Sequence, residues 1–174
     1  DAEKWMRERN YFGLMMVNTG EADAMVTGYS RSYPTTIKPV MQLIDKAPGV
    51  SKIATTNMMM TARGPIFLSD TAINPNPSAD DLARIALMTA KTVRMFGMEP
   101  VIAMVSYSNF GSSHNEGPSK ISQAVAYLHE NFPDLIVDGE IQTDFALNSD
   151  MLKSKFPFSK LVNKKVNTLI FPNL

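Results

Sequence analysis

Four serines and a glycine crowd the eight residues Ser106-Tyr107-Ser108-Asn109-Phe110-Gly111-Ser112-Ser113. Hydroxyls and backbone N–H groups at a strand-to-helix junction are the groups that hold phosphate. The segment therefore reads as a candidate anion loop; the plain alternative is a loop that uses serine and glycine only for its shape. A second polar loop, Gly28–Pro34, is flanked by Arg31 and Lys38, two cations that could meet an anion or stay solvated. A third, Asp70–Ser78, carries Asp70, Asn74 and Asn76 into Asn74-Pro75-Asn76-Pro77, where two prolines fix φ and end any strand. Asp138–Asp144 is a fourth. If the strands before these loops are parallel neighbours, the loops share one sheet edge and line one cleft.

Other chemistry finds little support. The chain has no cysteine and two histidines, His114 and His129, which excludes a thiolate metal site and argues against an all-histidine one. Both histidines read as surface residues. No Gly-x-Ser-x-Gly elbow, dinucleotide fingerprint or Walker loop is present. Asp80-Asp81 fits a helix N-terminus better than acid–base work. The formal net charge is zero, which leaves no electrostatic case for nucleic acid or acidic membrane. No apolar run approaches the length of a spanning helix, and the expected setting is cytoplasmic. Asp1 in place of an initiator Met suggests a piece of a longer chain.

These residues must be positioned by alternating helices and strands. The pattern predicts a helix over residues 2–19 with Trp5, Phe12, Leu14, Met15 and Met16 inward, and Gly20 as its stop. A short buried strand is expected over Ala24–Thr27. A helix should follow from Thr35 or Thr36, which puts Pro39 in its first turn. Residues 50–61 read as a strand that Ala62-Arg63-Gly64-Pro65 turns back into a second, as an antiparallel hairpin. Ser78 and Asp81 suggest a capping box for a helix running to Phe96, with Leu82, Ile85, Ala86, Thr89, Val93 and Phe96 on one face. A strand over 101–106, a helix over 118–131, a strand over 135–137, a short helix capped by Asn148 and a strand over 168–171 complete the series. The expected class is α/β: three layers, α/β/α, around a mostly parallel, mixed sheet.

The whole pattern resembles the phosphate acetyl/butyryl-transferase family. The matching segments are Tyr11–Val17, Gly20–Gly28, Ala47–Val50, Ala72–Pro77, Ser106–Ser108 with Gly111-Ser112, Pro133–Leu135 with Val137–Glu140, and Phe171-Pro172. The resemblance implies an isocitrate/isopropylmalate-dehydrogenase-like fold in two lobes. Residues 1–48 would end the first lobe, and 49–174 would form much of the second. It also implies a ligand cleft for acetyl-CoA or phosphate that draws on Thr27, Gly28, Arg31, Ser32, Tyr33, Lys38, Asn74, Asn76, Ser106, Ser108, Asn109, Gly111 and Ser112.

Departures from the transferase pattern matter. Where transferases carry Ser-Gly-Ala-x-His-Thr-Thr, this chain has Thr27-Gly28-Tyr29-Ser30-Arg31-Ser32-Tyr33, and the usual Arg before Pro is Lys38. Lysine cannot form the two-pronged guanidinium contact with phosphate. The family's Asp-Leu-Ser-Arg-Gly motif is absent. Together with Arg9–Gly13, Thr36–Pro39 and Arg63–Thr71, these changes look like the C-terminal transferase-like domain of bacterial NADP-dependent malic enzymes. That branch implies a parent enzyme that converts malate to pyruvate and CO2, with NADP and Mg or Mn bound outside this stretch. In that branch this domain has no catalytic residue or metal of its own. It is expected to respond to acetyl-CoA and to assemble as a homo-oligomer beside the parent's N-terminal malic-enzyme domains. The rival is an active phosphate acetyltransferase. The Met-rich run Asn57–Met60 is the expected self-association surface.

Overall fold

The structure is a computed structural model that describes residues 2–174. The chain divides into two compact units, Asp1–Ser51 and Lys52–Leu174.

The first unit is helical. In place of one helix over residues 2–19 there are two, α1 (Ala2–Met6) and α2 (Arg9–Asn18). The break is made by Glu8, whose backbone is extended and whose carboxylate accepts from the N–H groups of Asn10 and Tyr11. Capping two otherwise unpaired donors favours a fresh helix start over continuation. Leu14 is buried as expected, while Trp5 and Phe12 lie exposed. The strand expected over Ala24–Thr27 does not form. The segment has no ladder partner among the described residues, and Val26 is fully exposed. Helix α3 (Tyr33–Leu43) starts earlier than expected, because Pro34 takes the first-turn place reserved above for Pro39. Pro39 instead lies buried in the helix interior.

The second unit is a five-stranded sheet in the order β1-β2-β5-β3-β4, made of β1 (Thr56–Thr61), β2 (Gly64–Ser69), β3 (Val101–Val105), β4 (Ile136–Ile141) and β5 (Thr168–Ile170). The expected hairpin is present: β1 and β2 are antiparallel, with Thr61 opposite Gly64 across a two-residue turn. The strand expected over residues 50–61 is shorter, since its regular pairing begins only at Thr56. All other pairs are parallel.

Helices α4 (Ala79–Met95) and α5 (Glu116–Asn131) cover one face. Their apolar stripes meet alternate residues of the strands: Leu82, Ile85, Ile121 and Leu128 pack with Ile102, Met104 and Val137. Ser78 and Asp81 form the full capping box at the start of α4. Phe96, expected inward, is largely exposed, although its ring touches Phe67. The other face packs Ala103, Val105, Ile141 and Leu169 against Ala146, Leu152 and Leu161. These come from α6 (Thr143–Leu147), a helix too short to show a period in the sequence, from α7 (Ser149–Lys155), which Asn148 caps, and from the turn that follows. Strand β3 is buried along its whole length, as a central parallel strand between two helical layers must be. On the edge strand β1, by contrast, Met58, Met59 and Met60 are exposed.

Candidate functional site

The parallel strands β2, β5, β3 and β4 all end at the same edge of the sheet, where open α/β folds bind ligands. Two of the expected loops, Asp70–Ser78 and Ser106–Gly117, lie there. The fourth differs from expectation. Residues 138–141 are not loop but the end of β4, and Asp138 and Glu140 are buried within it.

Asp70, 3% exposed, is the hub of the first loop. Its carboxylate accepts from Thr55 N (2.9 Å), Thr55 Oγ1 (2.6 Å), Ala72 N (3.3 Å), Asn74 N (2.8 Å) and Asn74 Nδ2 (2.5 Å). Asn74 Nδ2 also donates to the Ile53 carbonyl. Asn74 therefore ties the loop to the segment before β1. Asn76 is exposed; its Oδ1 accepts from Lys120 Nζ at 2.7 Å, beside a hollow of about 390 Å³ that Ser78, Ser119 and Gln123 help to line.

Burial opposes the charge on Asp70, but the bonds from Thr55 and Asn74 outweigh it and hold the carboxyl at about 2, below its ordinary 3.8. A carboxyl with a depressed folded value stabilises above its unfolded value and loses that contribution as pH falls through the folded one. Stability should thus drop by about 1–2 kcal/mol between pH 4 and pH 2 on account of this group. Thermal unfolding across that window, wild type against Asp70→Asn, should show a flatter slope in the variant; equal slopes would count against the hub.

The serine loop is organised by Glu140, which is 1% exposed. Its Oε1 accepts from Ser108 Oγ (3.0 Å) and Gly111 N (2.6 Å), and its Oε2 from Ser122 Oγ of α5. These donors pull its carboxyl below the ordinary range against the effect of burial. Every backbone N–H from Ser108 to Ser113 is bonded within the protein. Ser108 donates to Ser106 Oγ, Asn109 to Ser112 Oγ, Phe110 to the Glu140 carbonyl, Gly111 to the Glu140 carboxylate, Ser112 to the Asn109 carbonyl and Ser113 to Ser108 Oγ. Asn109 is locked to Gln142 by two bonds, Nδ2 to Oε1 at 2.7 Å and Gln142 N to Asn109 Oδ1 at 2.8 Å. Phe110 holds a positive φ of 44° and packs its ring on Phe156 and Phe158. The loop that the sequence offers as a phosphate cradle is closed upon a carboxylate of its own chain.

Glu140 itself was not legible as a site residue. The available signal was its place both in the loop expected over Asp138–Asp144 and in the segment Val137–Glu140 that resembles the family. His129 also departs from expectation. It is half-buried, with Nε2 2.8 Å from the Val137 carbonyl. His114 is exposed.

The remaining candidates lie in the first unit. Thr27 Oγ1 donates to Asn10 Oδ1 at 2.8 Å, and Asn10 Nδ2 is buried with no hydrogen-bond partner. Gly28 has φ +109°, a conformation open to glycine. Ser32 Oγ is 2.9 Å from Thr35 Oγ1, and Tyr33 begins α3. Arg31 and Lys38 line a hollow of about 450 Å³ together with Glu8, Tyr11, Pro34 and Thr35. Arg31 also approaches Glu8 at 3.4 Å. Among the described residues, no three or more His, Cys, Asp or Glu side chains are grouped to hold a metal ion. No helix among them is long and apolar enough to cross a membrane.

Residues 1–174 match the phosphate acetyl/butaryl transferase family along their whole length. The chain belongs to that family. Its fold agrees: the crystal structure of a phosphotransacetylase from Streptococcus pyogenes superposes with a TM-score of 0.86 at 38% identity, covering 100% of this chain and 53% of that one. Among curated proteins, the phosphate acetyltransferase of Bacillus subtilis is 36% identical over 99% of this chain and 53% of its own length. The NADP-dependent malic enzyme of Escherichia coli is 39% identical over 93% of this chain and 21% of its own. The chain thus spans between about a fifth and a half of the curated relatives it matches. It is a phosphate acetyltransferase-like domain, similar in equal degree to members of both groups.

Proposed function

We infer that this chain is the C-terminal regulatory and assembly domain of an NADP-dependent malic enzyme, binding acetyl-CoA without turning it over. The observation that carries the reading is Lys38 in place of the family's usual Arg, on a hollow it shares with Arg31. Tyr29 and Tyr33 in place of small residues point the same way, and the backbone N–H groups from Ser108 to Ser113, all bonded internally, offer none of the six to a reacting acyl phosphate. Arg31 and Lys38, on one hollow of the first unit, are the proposed phosphate contacts. Thr27, Gly28, Ser32 and Tyr33 stand near them in sequence. Asn74, Asn76 and the residues of the serine loop form a second group of candidate contacts in the second unit. NADP and Mg or Mn would belong to the parent's own malic-enzyme domains, and a cytoplasmic setting goes with that parent. The exposed methionines of β1 would serve assembly into a homo-oligomer; sedimentation as a monomer at micromolar concentration would remove that part of the reading.

The second reading, an active phosphate acetyltransferase, is favoured by the similarity to the Bacillus subtilis enzyme. A ligand can regulate a distant site only by preferring one arrangement of the protein, with couplings of about 1–3 kcal/mol. Calorimetry with acetyl-CoA and malate kinetics on the full-length protein should show Arg31→Ala and Lys38→Ala each weakening the response at least about fivefold. A response as strong in both variants as in wild type would exclude Arg31 and Lys38 as the effector contacts.

A further inference from the structure

Strand β1 stands first in the sheet order, so one of its sides is open. The hairpin decides which backbone groups face that side. In an antiparallel ladder, residues alternate between those bonded to the neighbouring strand and those turned away from it. On β2, Phe67 N–H donates to the Asn167 carbonyl, and the Ser69 carbonyl accepts from Phe171 N–H, so these residues are turned toward β5. Pro65, which has no N–H to give to β1, belongs to the same set. Their partners across the hairpin are Met58 for Phe67, Thr56 for Ser69 and Met60 for Pro65. The N–H and C=O groups of Thr56, Met58 and Met60 therefore all point to the open side.

Exposed edges are ordinarily blunted by lysine, proline or a bulge. Thr56–Thr61 has none of these: it is uncharged, free of proline and paired in unbroken register. Its methionines are exposed on both faces of the sheet, Met59 on one, Met58 and Met60 on the other. A strand that is apolar on both faces has the composition of an inner strand. The strand also fits itself. Antiparallel pairing with its own copy about a two-fold axis makes a self-complementary contact. With Met58 on the axis, Thr56 stands opposite Met60 of the second copy and Asn57 opposite its Met59. All three outward residues of each copy are then bonded. An axis at Asn57 leaves Met60 without a partner in the strand, and an axis at Met59 leaves Thr56 without one. In the Met58 register the nearest charges in sequence, Lys52 and Arg63, fall opposite Gly64 and Ile53, so no like charges meet.

We propose that β1 pairs antiparallel with β1 of a second copy, Met58 on the two-fold axis, and joins two five-stranded sheets into one continuous sheet. The inference rests on the assembly part of the function proposed above and gives it a register. The full-length protein is sedimented at micromolar concentration as wild type, as Met58→Lys, as Met58→Glu and as an equal mixture of these two variants, with melting recorded for each. On the axis a charge meets its own copy. Each variant alone should therefore sediment at about half the wild-type mass or less, and the mixture should recover that mass because lysine then faces glutamate. Met95→Lys, at an exposed methionine on α4, should leave the mass unchanged. Asn57→Cys mixed with Met59→Cys should oxidise to a disulfide-linked pair, since the two positions are close, non-hydrogen-bonded neighbours in this register. Residues 1–174 hold no cysteine to compete. Wild type sedimenting as a monomer would remove assembly and this pairing together. Wild-type mass in both Met58 variants would overturn the pairing and leave assembly standing through another surface. Lower melting of both variants at unchanged mass would overturn it too, and would give the open edge to another segment of the same polypeptide. A reduced mass that the mixture does not recover would overturn Met58 as the axis.

Discussion

Supplied with acetyl-CoA and phosphate, the complete protein that carries this chain should release CoA at least about a hundredfold more slowly than an ordinary enzyme turning over about ten times per second. The reason is geometric. Acyl transfer to phosphate needs fixed donors aimed at charge that develops on the reacting oxygens, and the loss of one such donor costs about a hundredfold or more. In the serine loop the donors exist but are aimed elsewhere: Ser108 Oγ and Gly111 N at the Glu140 carboxylate, Ser113 N at Ser108 Oγ. Lys38 supplies a point charge where a planar fork would grip two oxygens at once. A coupled assay that follows thiol release is sufficient. Turnover at several per second would favour the transferase reading and dismiss the regulatory one.

Gly139→Ala should be among the more damaging substitutions in the second unit, with a loss of about 3–5 kcal/mol of stability. Gly139 sits in β4 at φ +144°, where side chains are rarely tolerated. A Cβ there would lie 2.5 Å from the Met104 carbonyl oxygen and 3.0 Å from Met104 Cβ, inside the neighbouring strand. Neither atom can yield cheaply, because β3 is packed on both faces. Gly97→Ala is the control. It too has positive φ, +71°, but a Cβ there meets nothing within 4 Å, and about 1 kcal/mol is expected. Urea midpoints of the two variants check this. A Gly139→Ala midpoint no lower than that of Gly97→Ala would show that β3 and β4 can separate without cost.

The contrast between the parts foreseen and the parts missed follows the range of the forces involved. Helices α4 and α5 and the β1–β2 hairpin were legible because apolar spacing, the Ser78–Asp81 box and a two-residue turn all act within a few positions. The break at Glu8 was not, because an acid inside an apolar-periodic run reads as an exposed helical residue until its carboxylate is seen on the next two N–H groups. Residues 24–27 have strand-like composition, but a strand requires a neighbour, and sequence does not announce its absence. The candidate loops at the ends of β2 and β3 were found by their polar residues. Glu140, which holds the serine loop closed, was missed because burial of an acid depends on three donors drawn from two distant segments.

The middle place of β5 in the sheet governs the order in which the second unit can be built. β5 pairs with β2 about a hundred positions away and with β3 about sixty-six away, whereas β1–β2 is a local hairpin and β3–β4 is joined through α5 alone. During synthesis the hairpin and the β3–α5–β4 unit emerge first, each with an unpaired edge facing the gap that three residues, Thr168–Ile170, will later fill. Closing so long a loop costs entropy before its contacts form, so joining the two halves is expected to be slower than forming either half. Until then the open edges are exposed to pairing with other nascent chains. A nascent chain released before Ile170 would carry two half-sheets with no strand to unite them.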